Sequence, residues 1–156
     1  DFTAEEIPNP GLFMHLLGGL EAIEKGGNPG LLPAYFELRL LKHVGYQPRL
    51  DQCIKCEGPL EKGDCRFQPS AGGVLCDRCK GNETEPLLSP GAMALLRHLA
   101  KIDFSVLGRL KPSLRQVDEV EGMLKVYNHY LLEKKRNYRK YNSFSYEDSV
   151  RSISKA

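Results

Sequence analysis

Four of the five cysteines stand in two identical knuckles, Cys53-Ile54-Lys55-Cys56 and Cys76-Asp77-Arg78-Cys79, with residues 57–75 between them. Thiols paired at this C-x2-C spacing, twice over and across such a spacer, are the sequence form of a tetrahedral four-sulfur zinc site. Each knuckle carries a glycine two places after its second cysteine, Gly58 and Gly81. Backbone N–H groups in a metal knuckle turn inward toward the bound sulfurs. Such a turn ends in a left-handed residue, which glycine supplies without steric cost. Four thiolates leave no coordination position for water or substrate, so the expected Zn2+ is structural and not catalytic. Two disulfides would require an oxidising compartment, and the sequence shows no signal peptide. A redox dithiol sits at the start of a helix after a strand, and two such pairs at zinc spacing would be a coincidence. Cys65 is the odd thiol and reads as a small, partly buried apolar residue.

Other chemistry is scarce. The chain has no P-loop, no nucleophile elbow and no paired His–Glu motif. His15, His43, His98 and His129 are scattered and read as structural, so no enzyme activity is expected. Net charge is only +2, but from Lys111 onward ten basic residues face six acidic ones. The basic stretch Lys134, Lys135, Arg136, Arg139 and Lys140 interleaves with Tyr130, Tyr138 and Tyr141. Cations neutralise phosphates and tyrosine rings stack on exposed bases, which makes this stretch a candidate DNA contact. The alternative is a solvated helix end whose charges complement the helix dipole. Lys55, Arg66, Arg78 and Lys80 surround the knuckles, either extending a basic surface or offsetting thiolate charge.

The elements that must position these groups are mostly helices. A first helix is predicted after Asn9-Pro10, carrying Leu12, Phe13, Leu16, Leu17, Leu20 and Ile23 and stopped by Gly26-Gly27. A second starts near Pro33 and ends at Gly45. Its apolar residues lie nearly all round, which predicts a central buried helix. Between the knuckles, Arg66-Phe67 and Val74-Leu75 pair as short strands around Pro69-Ser70-Ala71-Gly72-Gly73. Ser89-Pro90 caps a third helix. Ser113 with Gln116 forms a capping box for a fourth, whose stripe runs Val117, Val120, Leu124, Tyr127, Leu131. From Asn142 to Ala156 periodicity fades, predicting a polar, disordered tail after a domain spanning 1–141. The fold class expected is mainly α, a helical domain with an inserted four-cysteine zinc-binding β-hairpin at 53–79. No apolar run approaches the length of a bilayer span, so no membrane partner is expected.

The run Tyr35-Phe36-Glu37-Leu38-Arg39-Leu40-Leu41-Lys42-His43-Val44-Gly45-Tyr46-Gln47-Pro48, followed by Leu50-Asp51-Gln52-Cys53, resembles the bacterial recombination mediator RecO. The resemblance continues through Phe67 to Cys76, through Leu88-Ser89-Pro90-Gly91-Ala92, and is seen earlier in Pro8 to Phe13. It covers the chain from about Pro8 to Leu132. RecO proteins carry an N-terminal OB-fold barrel that these residues do not contain, so the chain looks like the C-terminal part of a longer protein. The polar tail after Tyr141 is longer than the family's usual short basic ending. The resemblance implies a cytoplasmic, nucleoid-associated DNA repair and recombination protein without a turnover site. Its members bind single- and double-stranded DNA, anneal strands, contact single-stranded-DNA-binding protein, and help RecR load RecA. The residues it carries over are the four zinc cysteines.

Partner tails that are acidic and end in apolar residues need an apolar groove flanked by cations. Phe36, Leu40, Arg39 and Lys42 supply one on the second helix, as the family does for single-stranded-DNA-binding protein; otherwise Phe36 and Leu40 are core. Two rival functions remain. A protein-docking scaffold would leave all DNA contact to the barrel. A zinc-containing GTPase-activating domain would also use paired knuckles, but with a shorter spacer and with its helices after the zinc segment.

Overall fold

The computed structural model describes residues 30–60, 63–79 and 84–153, with side chains through Arg136, plus the helical positions Pro10, Gly11, Phe13, Met14, Leu17, Gly18 and Glu21. The rest of the predicted first helix, including the Asn9 cap and Leu12, Leu16, Leu20 and Ile23, lies outside the described residues.

Helix α1 spans Leu32–His43, with Pro33 in its first turn where a missing N–H costs nothing. It closes in a Schellman motif: Tyr46 N–H donates to Leu41 O at 2.7 Å and Gly45 N–H to Lys42 O at 3.2 Å. Gly45 takes φ +81°, the left-handed value that makes glycine the natural residue there. The burial expected all round narrows to one stripe, Ala34, Tyr35, Leu38 and Leu41, with Phe36 and Leu40 half-buried on its flanks.

Strands β1 (Cys65–Gln68) and β2 (Gly73–Leu75) form the expected hairpin, with Arg66 opposite Leu75 and Phe67 opposite Val74. A third strand, β3 (Leu87–Leu88), adds to the other edge of β1, Cys65 facing Leu88. Two residues are too short to show alternation, so periodicity alone does not find β3. The hairpin is therefore part of a three-stranded antiparallel sheet, ordered β2-β1-β3.

Helix α2 spans Pro90–Leu99 and is capped as its sequence predicts, Ser89 Oγ accepting from Ala92 N–H at 3.2 Å. A 3₁₀ helix at Phe104–Arg109 leads to α3, Leu114–Ile153. Its capping box closes both ways: Gln116 N–H donates to Ser113 Oγ at 3.3 Å and Ser113 N–H to Gln116 Oε1 at 2.8 Å. The backbone of α3 is helical through Ile153, across positions that the fading periodicity places in a polar tail. Helices make up about half of the chain, so the mainly helical class holds in coarse form.

One core joins these elements. Phe67, Val74, Leu88, Leu96, Leu99, Val120, Met123 and Leu124 are all at most 1 % exposed. Tyr127 is its pivot. Its ring meets Phe67 edge-on at 5.0 Å, and its hydroxyl donates to Tyr46 O at 3.1 Å. Where α2 begins, Glu119 Oε2 accepts from Ser89 N–H at 2.7 Å while Oε1 accepts from Arg115 Nε at 2.8 Å. Partial burial pushes the Glu119 carboxyl up, but the Ser89 and Arg115 bonds outweigh it and hold it below its ordinary 4.5. A carboxyl depressed by folding stabilises the protein above its unfolded pKa, and that stabilisation is lost as pH falls through the folded value. Urea melts between pH 6 and pH 3 should show Glu119→Gln losing part of the acid sensitivity of the wild type. Equal pH slopes in the two proteins would exclude this role for Glu119.

Candidate metal centre

The two knuckles converge beside the hairpin because β1 and β2 lie between them and carry Cys76 back toward Cys53. Ile54 N–H donates to Val74 O at 3.0 Å, tying the first knuckle to β2, and Cys76 follows β2 directly. The four Sγ atoms of Cys53, Cys56, Cys76 and Cys79 all lie within 4.8 Å of one another. A tetrahedral zinc with bonds of about 2.3 Å holds its sulfurs about 3.8 Å apart. The Cys56–Cys76 separation of 3.9 Å matches that spacing. Cys53 and Cys76 are buried against Leu75, with Ile54, Leu60 and Cys79 around them, while Cys56 faces solvent.

The inward-turned N–H groups are present. Cys76 N–H donates to Cys53 Sγ at 3.4 Å. Burial pushes the Cys53 thiol up, yet backbone N–H groups of Cys56, Cys76 and Lys55 bring it down to about 6. Cys79, facing the sulfurs of Cys56, Cys76 and Cys53, is pushed up to about 12, as expected where thiolates crowd without a cation. This is a donor set that suits a soft, doubly charged cation.

The left-handed residue of the first knuckle is not the predicted one. Glu57, at φ +57°, makes the turn, its N–H donating to Cys53 O at 2.9 Å. Gly58 has no positive φ, and a Cβ there would meet Cys56 Sγ at 3.4 Å, an ordinary contact. Its carbonyl accepts from Cys53 N–H at 3.0 Å. Gly81 and Lys80 lie outside the described residues. Cys65 is buried in β1, outside the four-sulfur cluster, and burial pushes its thiol up.

The model of the family "Recombination protein O C terminal" matches residues 1–140. The chain belongs to the RecO C-terminal family. A DNA repair protein RecO from Dehalococcoides mccartyi is 34% identical over 133 residues, covering 85% of this chain and 53% of that protein. One from Roseiflexus is 35% identical over 150 residues, 96% of this chain and 51% of its own. One from Bacillus pumilus is 33% identical, with 91% and 54% covered. The chain thus spans about half the length of the curated RecO relatives it matches. No solved structure matches it.

The remaining candidate residues of this RecO-family chain fall in two places. Lys134 and Arg136 are exposed and Lys135 half-buried on α3, just past Leu131, the last described core residue. Tyr138, Arg139 and Lys140 continue the same helical backbone. On α1, Lys42 is exposed, but Arg39 turns inward: its guanidinium lies 5.1 Å from the Tyr35 ring centre and Nη2 donates to Ile102 O. Among the described residues no helix is long and apolar enough to cross a membrane.

Proposed function

We propose that this chain is the zinc-bearing C-terminal part of a RecO-type recombination mediator, which binds single- and double-stranded DNA and supports strand annealing and RecA loading with RecR. This is a cytoplasmic, nucleoid-associated role with no reaction of its own. The structural zinc holds the two knuckles together, leaving its protein surface to bind. The observation that carries DNA contact is the run of Lys134, Lys135 and Arg136 where α3 passes beyond its core. Cations on a solvent-facing stretch of helix present charge to phosphates without giving up packing. Arg139, Lys140 and Tyr138 extend the same run.

Anisotropy of a labelled single-stranded oligonucleotide at two salt concentrations tests the reading. Replacing Lys134, Lys135 and Arg136 with alanine should weaken binding and flatten the salt dependence by roughly 0.7 per lost phosphate contact. Absence of binding at low salt would leave this chain as the protein-docking half of the mediator.

A second surface fits single-stranded-DNA-binding protein. Phe36 and Leu40 are half-buried at i and i+4 on α1, and Lys42 is exposed in its last turn. The engagement of Arg39 with Ile102 O leaves Lys42 as the main cation for an acidic tail. Titrating an acidic peptide with an apolar C-terminus should give binding that Lys42→Ala weakens severalfold; equal affinities would remove this surface.

A further inference from the structure

Just past α1 the chain holds out an aromatic ring beside cations on a fixed backbone. Tyr46 is 44% exposed, yet its main chain is pinned on both sides, N–H to Leu41 O and carbonyl to the Tyr127 hydroxyl. Arg49 is stitched to the hairpin, its N–H donating to Gly72 O at 2.9 Å and its carbonyl accepting from Val74 N–H at 3.2 Å. The side chains of Lys42, Arg49 and Lys55 are exposed, and no hydrogen bond or ion pair engages them among the described residues. No acidic residue occurs from Lys42 to Leu50.

The surface continues across the hairpin. Gly73 has no side chain, and a Cβ placed there would lie 2.4 Å from Ile54 Cγ2 and 3.2 Å from Arg49 Cβ, so those two side chains meet over it. Beyond Ile54 opens a groove of about 460 Å³ lined by Lys55, Gln68 and Ala71, with Glu85 the one acid in its wall. The exposed Lys42, Tyr46, Arg49 and Lys55 are therefore carried on one backbone path that leads from the end of α1, past the hairpin, to the first zinc knuckle.

We propose that this track binds single-stranded nucleic acid, with Tyr46 stacking on a base and Lys42, Arg49 and Lys55 on successive phosphates. It rests on the nucleic-acid reading above, and adds to it a preformed contact separate from the α3 stretch. Stacking needs an open base face, which a duplex hides, so the track selects single strands. The backbone that carries the ring is fixed by hydrogen bonds, so little main-chain ordering opposes the stack.

The test is anisotropy of a labelled oligothymidine with this chain at two salt concentrations. Tyr46→Ala should weaken binding roughly tenfold or more with little change in salt slope, while Tyr46→Phe stays near wild type. Arg49→Ala should weaken it and lower the salt slope by about 0.7. Both alanine variants should keep a cooperative melt close to the wild type's, because neither side chain belongs to the buried core and the backbone bonds that hold this segment remain. Wild-type affinity in both would overturn the track; if the Lys134, Lys135, Arg136 triple variant still lost binding, the α3 contact would stand alone. Weakening by Arg49→Ala without any by Tyr46→Ala would overturn the stacking role. Binding of an acidic peptide but not of the oligonucleotide would overturn the choice of ligand.

Discussion

Cys76→Ser is expected to abolish the cooperative thermal melt of this chain, and a strong chelator should do the same to the wild type. Residues 51–60 and 76–79 contain no helix or strand, and among the described residues only Leu75, Ile54 and Leu60 join the cysteines in their small apolar cluster. Burial of so few side chains supplies a few kcal/mol at most. Closing a structural zinc site supplies on the order of 10 kcal/mol in small zinc peptides, comparable to the whole stability of an ordinary domain. Cys76 also donates its N–H to Cys53 Sγ and directly follows β2, so releasing it loosens the hairpin that anchors Phe67. Calorimetry with and without zinc checks this, and one zinc per chain should be found. An unchanged melt for Cys76→Ser would sink the structural role of the metal. Cys65→Ala is the control: Cys65 lies outside the cluster, so it should lower stability modestly and leave zinc content intact.

Gly72→Ala should destabilise the protein by about 2–3 kcal/mol, a fall of roughly 5–10 °C in Tm. Two separate causes add. Gly72 sits at φ +62°, where an L side chain costs about 1–2 kcal/mol. Its new Cβ would also stand 2.8 Å from the Tyr127 hydroxyl, forcing that group off Tyr46 O and breaking a hydrogen bond worth about 1 kcal/mol. The causes are separable. In a Tyr127→Phe background the clash is gone, so Gly72→Ala should cost only the backbone part. Equal costs in both backgrounds would mean that Tyr127 does not pack against this turn. The position matters because the same turn holds Arg49 and lies beside Tyr46.

Much of this site was legible in the residues. Cysteine spacing picked out the four thiols that the fold brings within 4.8 Å of one another, because donors for a tetrahedral metal come in pairs on short turns. The Ser89 cap, the Ser113–Gln116 box and the Phe67–Val74 pairing were equally readable, since each depends on residues close in the chain. What escaped was non-local. β3 forms only because β1 offers a free edge. Glu57 takes the left-handed turn expected of Gly58, because closing the knuckle through the Glu57 N–H to Cys53 O bond sets the backbone one residue earlier. Arg39, a candidate partner cation by sequence, turns instead onto Tyr35 and Ile102 O, a contact 63 residues away.

By itself, then, the sequence determined which four cysteines converge, the helix caps and, through an ordered set of motifs, membership of the RecO C-terminal family. Spacing along the chain carries that information because caps, knuckles and turns are built within a few residues. Tertiary structure alone decided which of the remaining side chains stay available. It folded Tyr127 against Tyr46 O and Gly72, drew Arg39 inward, and left Tyr46, Arg49 and Lys42 facing solvent. Exposure is a property of how distant segments pack, so no local pattern of residue types could have assigned it.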